Sequence, residues 1–172
     1  MRIKKLQATA LAAVLLMYAG VSQAAKVVFT GTIYDVSCQL VPSASSIAVS
    51  SSDTGTLKAD GDMGRPRAFS IKLSNCDGSP ATGKNAYVAI NGPTLAGKNT
   101  MFNGNAADAT RAGIYIASAE NPTVALPATD KSLQFSTNAD GGVVNLVAGL
   151  IASGPTTPGM VTAPVDFTFD IH

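Results

Sequence analysis

The stretch "PGMVTAPVDFTFDIH", residues 158–172, decides the fold. Val161, Ala163, Val165, Phe167, Phe169 and Ile171 alternate with Thr162, Pro164, Asp166, Thr168, Asp170 and His172. Strict two-residue alternation predicts a β-strand with one face in a core and the other in water. No turn and no further strand follow Ile171. The strand is therefore expected to expose an edge that later sequence cannot cover, and a bare apolar edge invites pairing with another chain.

Working back from that strand, short alternating or β-branched runs recur between clusters of Gly, Pro, Asn, Asp and Ser. They predict strands at Val27–Cys38, Ser46–Ser50, Ala68–Asn75, Ala86–Ile90, Ala112–Ala117, Ser132–Phe135 and Gly142–Ile151, then the closing run from Gly159 to Ile171. No capped apolar stripe at helical spacing follows residue 24, so the expected class is all-β. At this strand number and spacing the expected architecture is an immunoglobulin-type β-sandwich. Residues 51–67 and 103–113 read as surface loops.

At the other end, Arg2, Lys4 and Lys5 precede an apolar run from Leu6 to Val21 that closes on Ser22, Gln23 and Ala24. This order of charge, apolar run and small residues predicts a secretory signal peptide over residues 1–24. A membrane anchor is the competing reading, but the run falls short of the roughly 20 residues that cross a bilayer. Residues 25–172 then form one expected domain of roughly 150 residues, an ordinary single-domain size. Removing the signal takes three of the twelve basic residues and none of the eleven acidic ones. The remainder is weakly acidic, without a basic cluster or a tryptophan, which argues against nucleic acid and anionic lipid as partners.

The two cysteines are Cys38 and Cys76. In an exported chain they are expected to form a structural disulfide rather than to supply a catalytic thiol. The bridge would close a loop of about 40 residues and contribute about 4 kcal/mol in the chain-entropy description. A thiol nucleophile would also lack a base, because the one histidine is His172.

Other chemistry fails on its residues. "GSPATGK" (78–84) and "GPTLAGK" (92–98) have the glycine and lysine spacing of a phosphate loop. Asn85 and Asn99 then stand where a hydroxyl should hold magnesium, and "AYVAI" after the first is a strand pattern rather than a helix. Both are expected to be turns or hairpin loops. "DGD" (60–62) lacks the remaining ligands of a calcium loop. No metal site, no small-molecule cofactor and no catalytic residues are expected, so an enzyme is disfavoured.

Taken in order, these pieces resemble the pilin subunits of chaperone–usher fimbriae. The resemblance rests on "AKVVFTGTIYDVSCQL" (25–40), "FSIKLSNC" (69–76), "AGIYI" (112–116), and Gly159 opening the alternating terminal strand. It implies an immunoglobulin-like sandwich lacking its last strand, with a groove beside the strand carrying Val161, Ala163, Val165, Phe167, Phe169, Ile171 and His172. A strand of a periplasmic chaperone would fill that groove first, and the N-terminal extension of a neighbouring pilin subunit would fill it after assembly at an outer-membrane usher. The donor would be residues 25–34, presenting Val27, Phe29, Gly31 and Ile33. Export through the periplasm, assembly into a surface fimbrium and support of cell adhesion would follow. The other reading left open is a self-contained secreted sandwich that binds a host ligand as an adhesin. Ile171 stands where these subunits usually carry an aromatic, and Pro164 removes one donor from the strand.

Overall fold

The computed structural model describes residues 25–32, 37–50, 52, 54–77, 85–104, 110–137 and 140–171. The expected signal peptide, Ile33, Tyr34, the segment 78–84 and His172 lie outside the described residues.

Among the described residues, twelve strands follow in chain order: β1 Ala25–Thr32, β2 Ser37–Pro42, β3 Ser46–Val49, β4 Asp60–Met63, β5 Arg67–Asp77, β6 Ala86–Asn91, β7 Thr94–Leu95, β8 Lys98–Phe102, β9 Ala112–Ser118, β10 Leu133–Gln134, β11 Val143–Ser153 and β12 Thr162–Ile171. Among the described residues there is no helix, as the alternating runs predict. One sheet has the order β10-β6-β12-β1-β3. The other runs β2-β5-β11-β9-β8-β7, with β4 added beside β11.

The core between the sheets is built from the alternate positions of these strands. Ile71, Leu73, Val88, Ile90, Ile114, Ile116, Leu146 and Val165 are all buried within it. Phe69 and Phe167 meet edge to face at 6.0 Å, and Phe135 lies 6.1 Å from Phe169. Alternation in sequence has become a shared apolar layer, the arrangement that makes a two-sheet fold stable. A smaller cluster of Met101, Tyr115, Ala117, Val147 and Ile151 lies apart from it, with Met63 and Leu95 packed against it. Tyr115 forbids a side chain at Gly149, where a Cβ would stand 2.7 Å from its ring.

Three expectations need correction. Val27–Cys38 is not one strand: β1 belongs to the first sheet and β2 to the second. Residues 51–67 are not all loop, because Asp60–Met63 pairs with the end of β11, Ile151 opposite Met63. Its charged and glycine-containing sequence hid it, since its pairing is supplied by β11 rather than by its own alternation. Asn103, expected in a surface loop, is 2% exposed and donates its side-chain amide to Ala112 O at 2.9 Å. The hairpin reading of "GPTLAGK" holds: β7 and β8 pair across a turn with Gly97 at φ +74°, a left-handed position suited to glycine.

Cys38 and Cys76 are disulfide-bonded, as the export reading predicts. The bond ties the start of β2 to the end of β5, where their register shifts between Ser37 and Gln39. Asn75 takes a left-handed φ of 51° beside it and reaches Gln39 Oε1 at 2.8 Å. Asparagine tolerates that conformation better than most residues.

Candidate functional site

The terminal strand is the centre of the first sheet, not its edge. On one side β12 pairs antiparallel with β6, from Asp166 opposite Asn91 to Ile171 opposite Ala86. On the other it pairs parallel with β1, from Lys26 opposite Thr162 to Thr32 opposite Thr168. The bare edge expected from sequence is thus covered in the single chain by the chain's own N-terminal segment.

The alternation read from the terminal strand matches its burial. Val161, Ala163, Val165, Phe167 and Phe169 are buried, Ile171 is half-buried, and Pro164 and Asp166 face water. Gly159 precedes the strand instead of opening it. A Cβ there would stand 2.3 Å from Thr110 Cγ2, so glycine is required by close approach as the chain turns into β12.

The slot beside β12 has a second wall that sequence reading missed. β1 pairs antiparallel with β3, Ala25 opposite Val49 and Val27 opposite Ile47. Among the described residues β3 has no other strand partner. The register sets Val27, Phe29 and Gly31 opposite Ala163, Val165 and Phe167 of one wall. Ile47 and Val49 of the other wall are buried. Positions 25, 27, 29 and 31 thus stand beside core-facing neighbours, which is what the alternation in "AKVVFTGT" asks for. The visible signal for β3 was the alternation of "SIAV"; its place in the sheet depends on a pairing distant in sequence.

Pro164 is accommodated without loss to this slot. Thr162 O accepts a hydrogen bond from Gly104 N at 2.7 Å, and Pro164 O approaches Gly92, where a Cβ would stand 2.8 Å away. Both groups therefore face away from β1. A strand residue's nitrogen and carbonyl point the same way. The donor that proline lacks belongs to the flank where β6 has already ended at Asn91. Gly104 is equally tight, with its Cβ position 2.8 Å from Pro164 Cδ.

Tyr115, whose phenol burial raises above its ordinary pKa, belongs to the separate cluster in the other sheet. Among the described residues no group of three or more His, Cys, Asp or Glu side chains could hold a metal. What the site offers is two strand edges and a row of apolar positions, the means of binding a β-strand.

Comparison with known proteins gives the family and the fold. The sequence profile described as "Fimbrial protein" matches residues 27–172, and the chain belongs to that family of chaperone–usher pilus subunits, whose members are structural rather than enzymatic. It is 28% identical over 149 residues to the S-fimbrial protein subunit SfaA of Escherichia coli O6:K15:H31 (strain 536 / UPEC), covering 84% of this chain and 80% of that one. It is 29% identical over 119 residues to the type-1 fimbrial protein, C chain, of Escherichia coli, covering 67% of this chain and 63% of the relative. The fold is similar to that of the P pilus rod subunit PapA, with a TM-score of 0.58 at 22% identity, over 82% of this chain and 95% of that one. A subunit from a chaperone–usher pilus structure is similar at a TM-score of 0.51 and 24% identity, over 88% and 97%.

Proposed function

We propose that this chain is a fibre-building subunit polymerised by strand donation. Residues 1–24 direct export to the periplasm and are removed; residues 25–172 form a single pilin domain. The slot between β12 and β3 accepts a strand from a periplasmic chaperone and then, at an outer-membrane usher, from a neighbouring subunit. Residues 25–34 serve as the donor, through Val27, Phe29, Gly31 and Ile33. The resulting surface fimbrium supports cell adhesion.

The observation that carries this reading is β1. It is an N-terminal segment laid between two strands that have no pairing with each other, so the same position is available to a strand from elsewhere. In the single chain, β1 caps the slot until assembly. The intramolecular cap also favours the other reading, a self-contained secreted sandwich acting as an adhesin.

Removing residues 25–33 separates the two. The shortened chain is expected to aggregate or be degraded alone, and to be recovered by its chaperone or by a synthetic peptide spanning residues 25–34. A shortened chain that neither its chaperone nor a separate strand recovers, beside a full-length chain that stays a folded monomer and forms no fibres, would overturn strand donation and leave the adhesin.

A further inference from the structure

Two Asn-Gly pairs flank the same proline, and their environments differ sharply. Asn91-Gly92 follows β6 and Asn103-Gly104 follows β8. Each glycine is fixed by sterics, because a Cβ on Gly92 would meet Pro164 O at 2.8 Å and one on Gly104 would meet Pro164 Cδ at 2.8 Å. A glycine after asparagine has a chemical consequence. With no side chain in the way, its backbone nitrogen can reach the asparagine side-chain carbon.

Asn103 is guarded against this. It is 2% exposed, its amide donates to Ala112 O at 2.9 Å, and Gly104 N is engaged by Thr162 O at 2.7 Å. Asn91 is exposed, and among the described residues neither its side chain nor the nitrogen of Gly92 makes a hydrogen bond. The ladder explains why. Asn91 faces Asp166, so the next residue turns its N–H away from β12, to the side where Ile90 N reaches Asp130 O, and there Gly92 finds no acceptor.

We infer that Asn91 is a site of spontaneous deamidation, and that Asn103 is protected by the fold. The Gly92 nitrogen loses its proton to hydroxide and bonds to Asn91 Cγ. The bond from Cγ to the side-chain nitrogen breaks and ammonia leaves. Water then opens the resulting five-membered imide at either carbonyl, giving aspartate or its β-linked isomer. Aspartate at this position stands directly opposite Asp166 on the exposed face, and like charges directly opposite destabilise an antiparallel pair. The β-linked isomer adds a backbone atom at the end of β6. Either product weakens the permanent flank of β12, and this holds whatever fills the slot.

Hydroxylamine, which cleaves the imide, reads the difference directly. In the folded exported protein, cleavage after Asn91 is expected to exceed cleavage after Asn103 by at least about tenfold, because the second site needs local opening first. In denatured protein both bonds are expected to be cut comparably. Peptide mass spectrometry after alkaline incubation should show the amide-to-acid mass gain at Asn91. The substitution Asn91→Asp should lower the thermal midpoint, and Asp166→Asn in the same chain should restore it. Equal cleavage of the two sites in the folded protein, or no conversion of Asn91, would overturn the assignment.

Discussion

The two flanks of β12 differ in direction, in origin and in what depends on them. The β6 flank is antiparallel, and its paired core positions are buried on both strands, Phe167 opposite Ile90 and Phe169 opposite Val88. Beyond its end, Gly92 and Gly104 close tightly on Pro164. Through β6 it also carries β10, and Phe135 N is held by Ala86 O at 2.9 Å. The β1 flank is parallel, a pairing slightly weaker per residue, and of the described strands only β3 depends on it. One flank is integral to the domain, and on the proposed reading the other is replaceable. For a subunit that exchanges strands, this division is the useful one.

The strongest way to break the comparison is Phe169→Asp on the integral flank. Loss of the ring alone costs about 3–5 kcal/mol, and an unpaired buried carboxylate adds to it. The expected outcome is failure to accumulate, with no chaperone complex recovered by co-purification. A stable complex would show that the core face of β12 has been misassigned.

Gly31→Leu tests the replaceable flank. Gly31 lies opposite Phe167 in the register, and overpacking a close strand contact costs about 1–3 kcal/mol. On the proposed reading the chaperone uses β12 and not the donor, so its capture should survive while fibres seen by electron microscopy should be lost or sparse. Normal fibres would remove Gly31 from the joint. Gly92→Ala probes the integral flank more gently. Its Cβ would stand 2.8 Å from Pro164 O, a backbone atom that must shift, so a loss toward the lower end of about 1–3 kcal/mol is expected in denaturant unfolding. An unchanged midpoint would mean the loop relaxes freely.

How much of this was readable beforehand follows from where each signal resides. Alternation is local, so "VTAPVDFTFDI" disclosed both its strand and its buried face. Export and two cysteines were enough to expect the bond between Cys38 and Cys76. Pairing is not local. Nothing in "AKVVFTGT" states that it lies parallel to β12 and antiparallel to β3, and nothing in "DGDM" states that β11 will hold it as a strand. Gly92 and Gly104 were legible only as turn or loop residues, and Gly159 only as the start of a strand. That Gly92, Gly104 and Gly159 are each required by a neighbour's atoms depends on contacts far away in the chain.

The smallest expected effect should touch neither flank. Asp62, in β4, accepts backbone N–H bonds from Ala59 at 2.7 Å and Lys58 at 2.9 Å. These two donors hold its carboxyl below the ordinary carboxylate range. A group whose folded pKa is depressed contributes stability above its unfolded pKa of about 4 and loses it as pH falls through the folded value. The side chain is partly exposed to water, so solvent screening keeps the contribution small. Asp62→Asn keeps one acceptor oxygen but removes the charge. Its thermal midpoint should lie slightly below that of the unmodified chain at neutral pH, and the gap should close as pH falls below about 4. Fibre assembly should be unaffected at either pH, because β4 pairs with β11 in the other sheet. A gap that stays constant with pH would mean the two hydrogen bonds do not depend on the charge. A loss of fibres would mean the second sheet is coupled to the slot after all.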